Sequence, residues 1–319
     1  MDYDFFNGDA DGILSLHQYR LNRPAESIKY TGIKRDIELL RHVSDVKDSV
    51  FNVFDISMET NHAHALHALE NNNKLNWFDH HVANDDVMSH DNVTSRIDTN
   101  PNCCTSLLVD EHNEGEHRAW TIAGAYGDNL HELADNLNID YSETQMNDLR
   151  LLGETLNYNG YGNVMSDLVY NPLDVYNDVS LYKDPFMYIV FSDVFKKIYH
   201  QMKSDKQELS DSVVLLDEHF GMIVKLPDTP ANVRYSGIYS NKLTTAQPER
   251  AFAILTTNGT GYKVSIRAPK NNPIGASSLA LQFPTGGGRE KAAGINMLDK
   301  GELVHFYTAF KQTFSQHAQ

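Results

Sequence analysis

Apolar runs and segments of helical periodicity alternate along the first 80 residues. The apolar runs are short and aromatic, which favours buried strands, and they occupy residues 1–6, 26–33, 49–57 and 74–81. Between them, apolar side chains recur every three or four positions, which indicates helices at residues 13–23, 35–43 and 58–72. This order predicts an α/β domain with a parallel sheet that carries helices on both faces.

The later part of the chain changes character twice. Residues 117–200 have a helical pattern, and strand-like runs return from residue 212 onward. A hairpin is expected around Asn258 and Gly259, because this pair is typical of a tight turn between two strands. The chain ends with a predicted helix at 301–314.

The length of 319 residues suits two domains. The helical pattern ends at a polar, charged stretch that we interpret as a linker between the two domains. The second domain is α/β in pattern and smaller than the first. The predicted boundaries are 1–200 for the first domain, 201–212 for the linker and 213–319 for the second domain.

The chain is strongly acidic, with 43 Asp and Glu against 27 Lys and Arg and a net charge of −16. Such a chain repels duplex DNA but permits small phosphorylated substrates that bound metal ions attract. The adjacent Cys103 and Cys104 suit neither a zinc motif nor a disulfide. Without a membrane-spanning run or a secretory signal pattern, we expect a soluble, cytoplasmic protein with no membrane partner. The oligomeric state stays open, and a homodimer is allowed.

Four acidic signals carry the candidate chemistry, and three of them follow predicted strands. They are "NGDADG" with Asp9 and Asp11, "FDIS" with Asp55, "FDHH" with Asp79, His80 and His81, and "YGDN" with Asp128. The carboxyl ends of parallel strands meet at one edge of a sheet, where ligands bind in open α/β folds. Carboxylates with imidazoles suit Mn²⁺, and two such ions about 3.5–4 Å apart can activate water and neutralise a phosphate.

Each signal by itself has an ordinary structural explanation. Asp-x-Asp-Gly is a common turn, and Ser57 could cap the helix after "FDIS". Only the order and the shared sheet edge favour a metal centre. Within the third signal, adjacent side chains on a strand diverge, so we expect His80 and His81 to face different partners.

The ordered set of four signals resembles the four metal-binding motifs of the DHH phosphoesterase superfamily. The segment 284–294, "PTGGGREKAAG", resembles the glycine-rich signature of the DHH-associated C-terminal domain. The matched positions span residues 9 to 294, which is nearly the whole chain. The resemblance implies a metal-binding catalytic domain followed by a substrate-binding domain, with the substrate in a cleft between them.

The resemblance also implies a role for each residue of the signals. Two Mn²⁺ ions would bind, with Mg²⁺ as a possible substitute. Asp55 would bridge them, and His81 would face the substrate while Asp79 supports the site; these two are the expected catalytic residues. Asp9 would bind one ion, and Asp11 and His80 would bind the other. Asp128 would complete the cluster of metal ligands.

Two positions depart from the family pattern near the metals. Phe5 stands where many relatives have a metal-binding histidine, so the first metal is expected to have fewer protein ligands. Asn7 stands where some relatives have aspartate, and its carbonyl oxygen could contribute instead.

We expect the glycine-rich signature to form a loop, and it departs from the family pattern as well. Gly286, Gly287 and Gly288 would let main-chain N–H groups approach a phosphate, and Arg289 replaces the usual histidine with a permanent charge. Arg267 is a second candidate anion contact, with a plain surface charge as the alternative.

The resemblance implies a Mn²⁺-dependent phosphodiesterase that acts on small nucleotides. Candidate substrates are short oligonucleotides, as for an oligoribonuclease or exonuclease, linear or cyclic dinucleotides, and phosphoadenosine phosphate. Tyr158 and Tyr161 could stack on a base, although a polar helix end explains them equally well. The alternatives are an exopolyphosphatase or pyrophosphatase, and a non-catalytic nucleotide sensor.

Overall fold

The computed structural model describes residues 1–138, 140–208 and 211–315, and their packing divides the chain into units Met1–Gln201 and Met202–Gln319. Helix α10 (Asp193–Glu208) covers the first part of the predicted linker. Residues 209 and 210 of that linker lie outside the described residues, as do 139 and 316–319.

A five-stranded sheet of parallel strands organises the first unit, as predicted. Its strand order is β2-β1-β3-β4-β5. The strands are β1 (Asp2–Phe6), β2 (Ser27–Tyr30), β3 (Val50–Phe54), β4 (Lys74–Asp79) and β5 (Val93–Ile97). Strand β5 was not predicted, because its side chains are partly exposed at the sheet edge and lack an apolar run.

Helices cover both faces of this sheet. Helix α1 packs on β1 and against α4, α5 and α7, while α2 belongs to an apolar cluster with Phe51 and Trp77. The remaining helices of the unit follow in chain order. The bounds are α1 (Ala10–Asn22), α2 (His62–Glu70), α3 (Asp85–Met88), α4 (Thr105–His112), α5 (Arg118–Gly127), α6 (His131–Asn136), α7 (Glu143–Gly160), α8 (Pro172–Val179) and α9 (Pro185–Phe191).

The helix predicted at 35–43 is wrong in type and length. Only Leu39–Val43 is helical, as a 3₁₀ turn. The Asp36 N–H donates to the Ile33 carbonyl at 2.8 Å, which closes a separate turn just before it. A second 3₁₀ turn, Met165–Asp167, lies between α7 and α8.

The second unit is built on a mixed six-stranded sheet with the order β10-β11-β9-β8-β7-β6. The predicted hairpin is present between β8 and β9, with Gly259 at φ +57°. Phe306, Phe310 and Phe314 of the terminal helix lie in its core. The elements are β6 (Val213–Glu218), β7 (Gly221–Lys225), α11 (Pro230–Ala246), β8 (Ala251–Asn258), β9 (Gly261–Arg267), α12 (Ala276–Ala280), β10 (Gly286–Arg289), β11 (Ala292–Asp299) and α13 (Leu303–Ser315).

Each helix within the described ranges is too short or too polar to cross a lipid bilayer.

His17 on α1 makes the stability of the first unit depend on pH. Its ring is buried edge-on against Trp120, with centroids 4.7 Å apart, and burial lowers the pKa of His17 to about 3. An unfolded histidine has a pKa near 6.5, so between these values only the unfolded chain takes up the proton. The folded state therefore loses stability as the pH falls from 6.5 toward 3.

A His17→Phe variant keeps a ring against Trp120 and removes this proton. We expect wild type to lose more free energy of unfolding than the variant between pH 7 and pH 5, measured by urea unfolding without metal. Equal losses in the two proteins would show that His17 does not titrate in this way.

Candidate metal centre

Asp9 lies between the first strand and the first helix. Strand β1 ends at Phe6 and α1 begins at Ala10, so Asp9 is the N-cap, and its Oδ1 accepts the Gly12 N–H at 3.0 Å. Its Oδ2 lies 2.6 Å from the Nζ of Lys34. Both oxygens of this buried carboxylate therefore have partners within the chain.

Asp11 is held by the start of helix α4. Its Oδ2 accepts the Thr105 N–H at 2.8 Å, and its Oδ1 accepts the Ser106 N–H at 2.8 Å together with the Ser106 hydroxyl. The first amides of a helix have no partner within it, and Cys104 at the cap position provides no side-chain hydrogen bond. Asp11 supplies that partner, and the contact fixes its orientation.

Asp55 follows β3 directly in a left-handed conformation with φ +57°, which aspartate tolerates better than most residues. Its N–H donates to the carbonyl of Phe78 on the neighbouring strand at 3.0 Å. Its Oδ1 lies 3.3 Å from the Nε2 of His80 and 3.4 Å from the Thr105 hydroxyl. The bend at the strand end thus aims the carboxylate at the third signal.

His80 is oriented by the main chain. Its Nδ1 lies 2.8 Å from the carbonyl oxygen of Cys103, which can only accept, so the ring donates from Nδ1. A neutral ring then keeps its lone pair on Nε2, the atom that faces Asp55. Asp128, the C-cap of α5, brings its Oδ2 within 3.9 Å of the same ring. Metal-binding histidines usually have this kind of carbonyl support.

Asp79 and His81 form a hydrogen-bonded pair. The Asp79 carboxylate is fully buried, and its Oδ1 lies 2.7 Å from the Nδ1 of His81, whose side chain is one-third exposed. The two histidines contact different partners, because His80 faces the Cys103 carbonyl and Asp55 whereas His81 faces Asp79. The rings of His80 and His81 pack edge to face, with centroids 4.5 Å apart.

The site concentrates buried negative charge. Burial and the nearby charge of Asp9 raise the pKa of Asp55 well above its usual value. Burial also raises the pKa of Asp11, with Asp128 and Asp9 adding to the effect. These two carboxylates therefore need compensating positive charge in order to stay ionised.

Part of that charge belongs to the chain. Burial by itself would raise the pKa of Asp9, but the Lys34 ammonium holds it below its ordinary value. Burial disfavours a charged Lys34, yet the charge of Asp9 raises the pKa of the amine well above normal. Burial likewise opposes protonation of His80, but the hydrogen bond to Asp55 and the charge of Asp128 raise its pKa well above normal.

The donor set fits a divalent cation. Asp55, Asp79, His80 and His81 each offer a ligand atom, and these atoms lie within 4.8 Å of one another. The Oδ2 of Asp79 is buried and has no hydrogen-bond partner among the described residues. A buried carboxylate oxygen without a partner is costly, and a cation would satisfy it. Carboxylate oxygens with imidazole nitrogens suit ions such as Mn²⁺.

Phe5 and Asn7, the two positions that depart from the family pattern in the first unit, have different surroundings. Phe5 is fully buried, with its ring stacked on Tyr30 at 5.3 Å and tilted against Phe51, so it belongs to the core. The Oδ1 of Asn7 is buried without a hydrogen-bond partner in the described part of the chain. Asn7 therefore retains a free oxygen that could bind a cation.

The glycine signature is strand β10, where the sequence suggested a loop. A Cβ on Gly286 would lie 1.7 Å from the Ala280 carbonyl oxygen, and Gly288 has φ +133°, so the fold itself requires both glycines. Gly287 has open space instead, with nothing within 4 Å of its Cβ position.

Arg267 and Arg289 lie on the same face of the second sheet. Both are in register with Ala292 of the strand between them, and residues directly across a ladder point to one side. Arg267 also donates to the Asn241 side chain at 3.1 Å. Both arginines belong to the second unit, and their role in substrate binding stays a prediction.

Sequence reasoning missed several residues of the centre. Lys34, Ser106 and the Cys103 carbonyl come from segments with no recognisable motif, so only the fold brings them together. Asn157, which accepts from the Lys34 ammonium at 3.0 Å, lies next to Tyr158 and was also missed. The segment "GETLNYNGYG" was noted for its tyrosines, but Tyr158 is fully buried and cannot stack on a base.

This chain can be compared with proteins of known sequence and structure. No family model matches the sequence, and no curated protein matches it. Solved structures do resemble it: Thermus thermophilus RecJ in complex with Mn²⁺ superposes with a TM-score of 0.61 at 15% identity, over 99% of this chain. This chain spans about half of that RecJ, 52% of its length. The same RecJ has also been crystallised with Mg²⁺.

Two further structures match over nearly their full length. An exopolyphosphatase-related protein from Bacteroides fragilis gives a TM-score of 0.54 at 14% identity, over 99% of this chain and 92% of that one. PggH, a pGpG-specific phosphodiesterase from Vibrio cholerae, gives 0.54 at 11% identity over 99% of both chains. This chain has the same fold as these RecJ, exopolyphosphatase-related and PggH structures. In this fold the predicted two-unit α/β architecture is confirmed.

A substitution of Ser106 tests whether its hydroxyl group helps to orient the Asp11 carboxylate. Ser106→Ala removes one of three donors to that carboxylate, so we expect Mn²⁺ affinity to fall by about tenfold, as for other residues that orient a ligand. Ser15→Ala is the matched control, because the Ser15 hydroxyl hydrogen-bonds the Ser106 hydroxyl at 3.3 Å rather than the Asp11 carboxylate. Calorimetric Mn²⁺ titration measures both. Equal weakening by the two variants would contradict a specific role for Ser106.

Proposed function

We propose that this protein is a metal-dependent phosphodiesterase that hydrolyses small nucleotides. The observation that carries the proposal is the meeting of Asp55, His80 and Asp128 at the carboxyl edge of the parallel sheet. The same fold occurs in a pGpG-specific phosphodiesterase whose whole length this chain covers. The donor set and the fold thus favour the same chemistry.

In this proposal Asp55 and His80 would bind Mn²⁺, and Asp9, Asp11 and Asp128 would be the other carboxylates of the centre. Bound divalent ions supply positive charge to phosphate oxygens and lower the pKa of a coordinated water. The main-chain contacts of Asp11 and His80 keep these side chains in place, which favours preorganised binding.

Asp79 positions His81 for proton transfer or hydrogen bonding. The buried Asp79 carboxylate accepts from the His81 Nδ1–H, which leaves Nε2 as the ring atom available to a substrate. A histidine oriented in this way can contact a phosphate oxygen or protonate a leaving group. We assign His81 that role and assign Asp79 a positioning role.

We assign the second unit a role in binding a phosphate of the substrate. Arg289 and Arg267 share one face of the sheet, and a guanidinium can bind a phosphate through two hydrogen bonds. Gly287 leaves room for a close approach of the main chain. These contacts would favour a substrate with a second phosphate or a terminal nucleotide.

Small substrates are favoured over long ones. The net charge of −16 opposes binding of a long polyanion. The buried free thiols of Cys103 and Cys104 suit a reducing compartment such as the cytoplasm.

A second candidate is hydrolysis of polyphosphate. The resemblance to an exopolyphosphatase-related protein from Bacteroides fragilis favours it, and the same donor set would serve. The two functions differ in whether the substrate must carry a nucleobase.

A substrate panel distinguishes them. Purified protein with Mn²⁺ is incubated with linear dinucleotides, cyclic dinucleotides, short oligonucleotides, phosphoadenosine phosphate and polyphosphate, and products are separated by chromatography. We expect cleavage of a nucleotide and little release from polyphosphate. Release from polyphosphate alone would favour the second candidate, and binding without cleavage at any Mn²⁺ concentration would rule out both.

Asp55→Asn tests the ligand at the centre of the site. Asparagine tolerates the left-handed backbone but lacks the charge, so turnover should fall by far more than the roughly 10–100-fold typical of losing a residue that only orients a ligand. Asp48→Asn is the control, since Asp48 is an exposed aspartate that also has positive φ, at +51°. Near-normal kcat in Asp55→Asn would contradict the metal centre.

Arg289→Ala tests the substrate contact. If Arg289 only holds the substrate, KM should rise by about tenfold or more while kcat changes little, because a charged hydrogen bond is lost equally from ground and transition states. Arg289→Lys keeps the positive charge but loses the bidentate contact, so its KM should lie between those of wild type and Arg289→Ala. An unchanged KM for both variants would remove Arg289 from the binding site.

A further inference from the structure

Lys34 is brought to the candidate centre by main-chain packing. It lies in the loop after β2, and its N–H donates to the carbonyl of Gly160 at the end of α7, at 3.0 Å. The same loop approaches the opening motif closely, because a Cβ on Gly8 would lie 1.9 Å from the Gly32 carbonyl oxygen. The position of Lys34 is therefore set by the backbone on two sides.

The Lys34 ammonium makes several contacts with site oxygens. Its Nζ lies 2.6 Å from the Oδ2 of Asp9, 3.0 Å from the Oδ1 of Asn157 and 4.0 Å from the Oδ1 of Asp128. The ring of Tyr161 lies beside it, with the centroid 5.4 Å from Nζ. An ammonium has three N–H donors, and this group of acceptors comes from three separate segments.

The first of the two expected metal positions is the one that Lys34 affects. Asp9 is its expected carboxylate, and both oxygens of Asp9 already accept from the Gly12 N–H and from Lys34. The expected histidine is replaced by Phe5, which is stacked in the core and offers no ligand atom. Asp55 and His80, in contrast, face each other directly, with 3.3 Å between the Asp55 Oδ1 and the His80 Nε2.

From this geometry we infer that the Lys34 ammonium takes the place of one of the two expected cations, so that the centre binds a single divalent ion. Asp55 and His80 hold that ion, and Lys34 is a fixed positive charge next to it. A phosphate at the site would then face one metal ion and one ammonium. The inference rests on the proposed function, since it assumes that the centre binds a divalent cation.

Metal stoichiometry tests the inference directly. The full chain is dialysed to equilibrium against Mn²⁺, the bound metal is counted by mass spectrometry, and electron paramagnetic resonance distinguishes an isolated Mn²⁺ from an exchange-coupled pair. We expect one isolated ion per chain in wild type. Lys34→Ala should gain a second, weaker ion with a coupled spectrum, because it frees Asp9 and removes the ammonium.

Lys47→Ala is the matched control, since it removes an exposed lysine charge elsewhere in the same unit. It should bind one ion, as wild type does, and circular dichroism verifies that each variant is folded. Two coupled ions in wild type would overturn the inference without affecting the proposed function. One ion in both wild type and Lys34→Ala would overturn it as well, because Lys34 would not be what excludes the second. No bound ion in wild type would contradict the proposed function itself.

Discussion

Crowding of buried carboxylates at one edge of the first sheet is the constraint on which the site depends. Asp9, Asp11 and Asp55 are almost fully buried, so little water is available to screen their mutual repulsion. The arrangement requires positive charge, which comes from Lys34 and, in our proposal, from a divalent ion that the neutral ring of His80 would bind. The fold holds these groups together through main-chain contacts to Asp11 and His80.

The positions of the acidic signals could be predicted because they follow from strand physics. Strands β1, β3 and β4 are apolar enough to be recognised, and parallel strands bring their carboxyl ends to one edge. What could not be predicted depends on long-range packing. Strand β5 was missed because it is partly exposed and has no apolar run. No local pattern indicates that Lys34 reaches Asp9 or that the start of α4 binds Asp11.

The second unit shows a similar division. Its strands and the hairpin at Gly259 could be predicted from apolar runs and turn residues. The glycine signature was expected to be a loop, but two of its glycines serve the strand itself: Gly286 through close approach of the Ala280 carbonyl, and Gly288 through its backbone angle. The room for a ligand is at Gly287, beside Arg289, and this assignment required the structure.

Anomalous diffraction at the manganese absorption edge, from crystals grown with Mn²⁺, tests the central claim most directly. We predict an anomalous peak at the sheet edge, within bonding distance of an Asp55 oxygen and the Nε2 of His80. A peak elsewhere, or none at this edge in well-ordered crystals, would contradict the assignment of a metal-dependent centre to these residues.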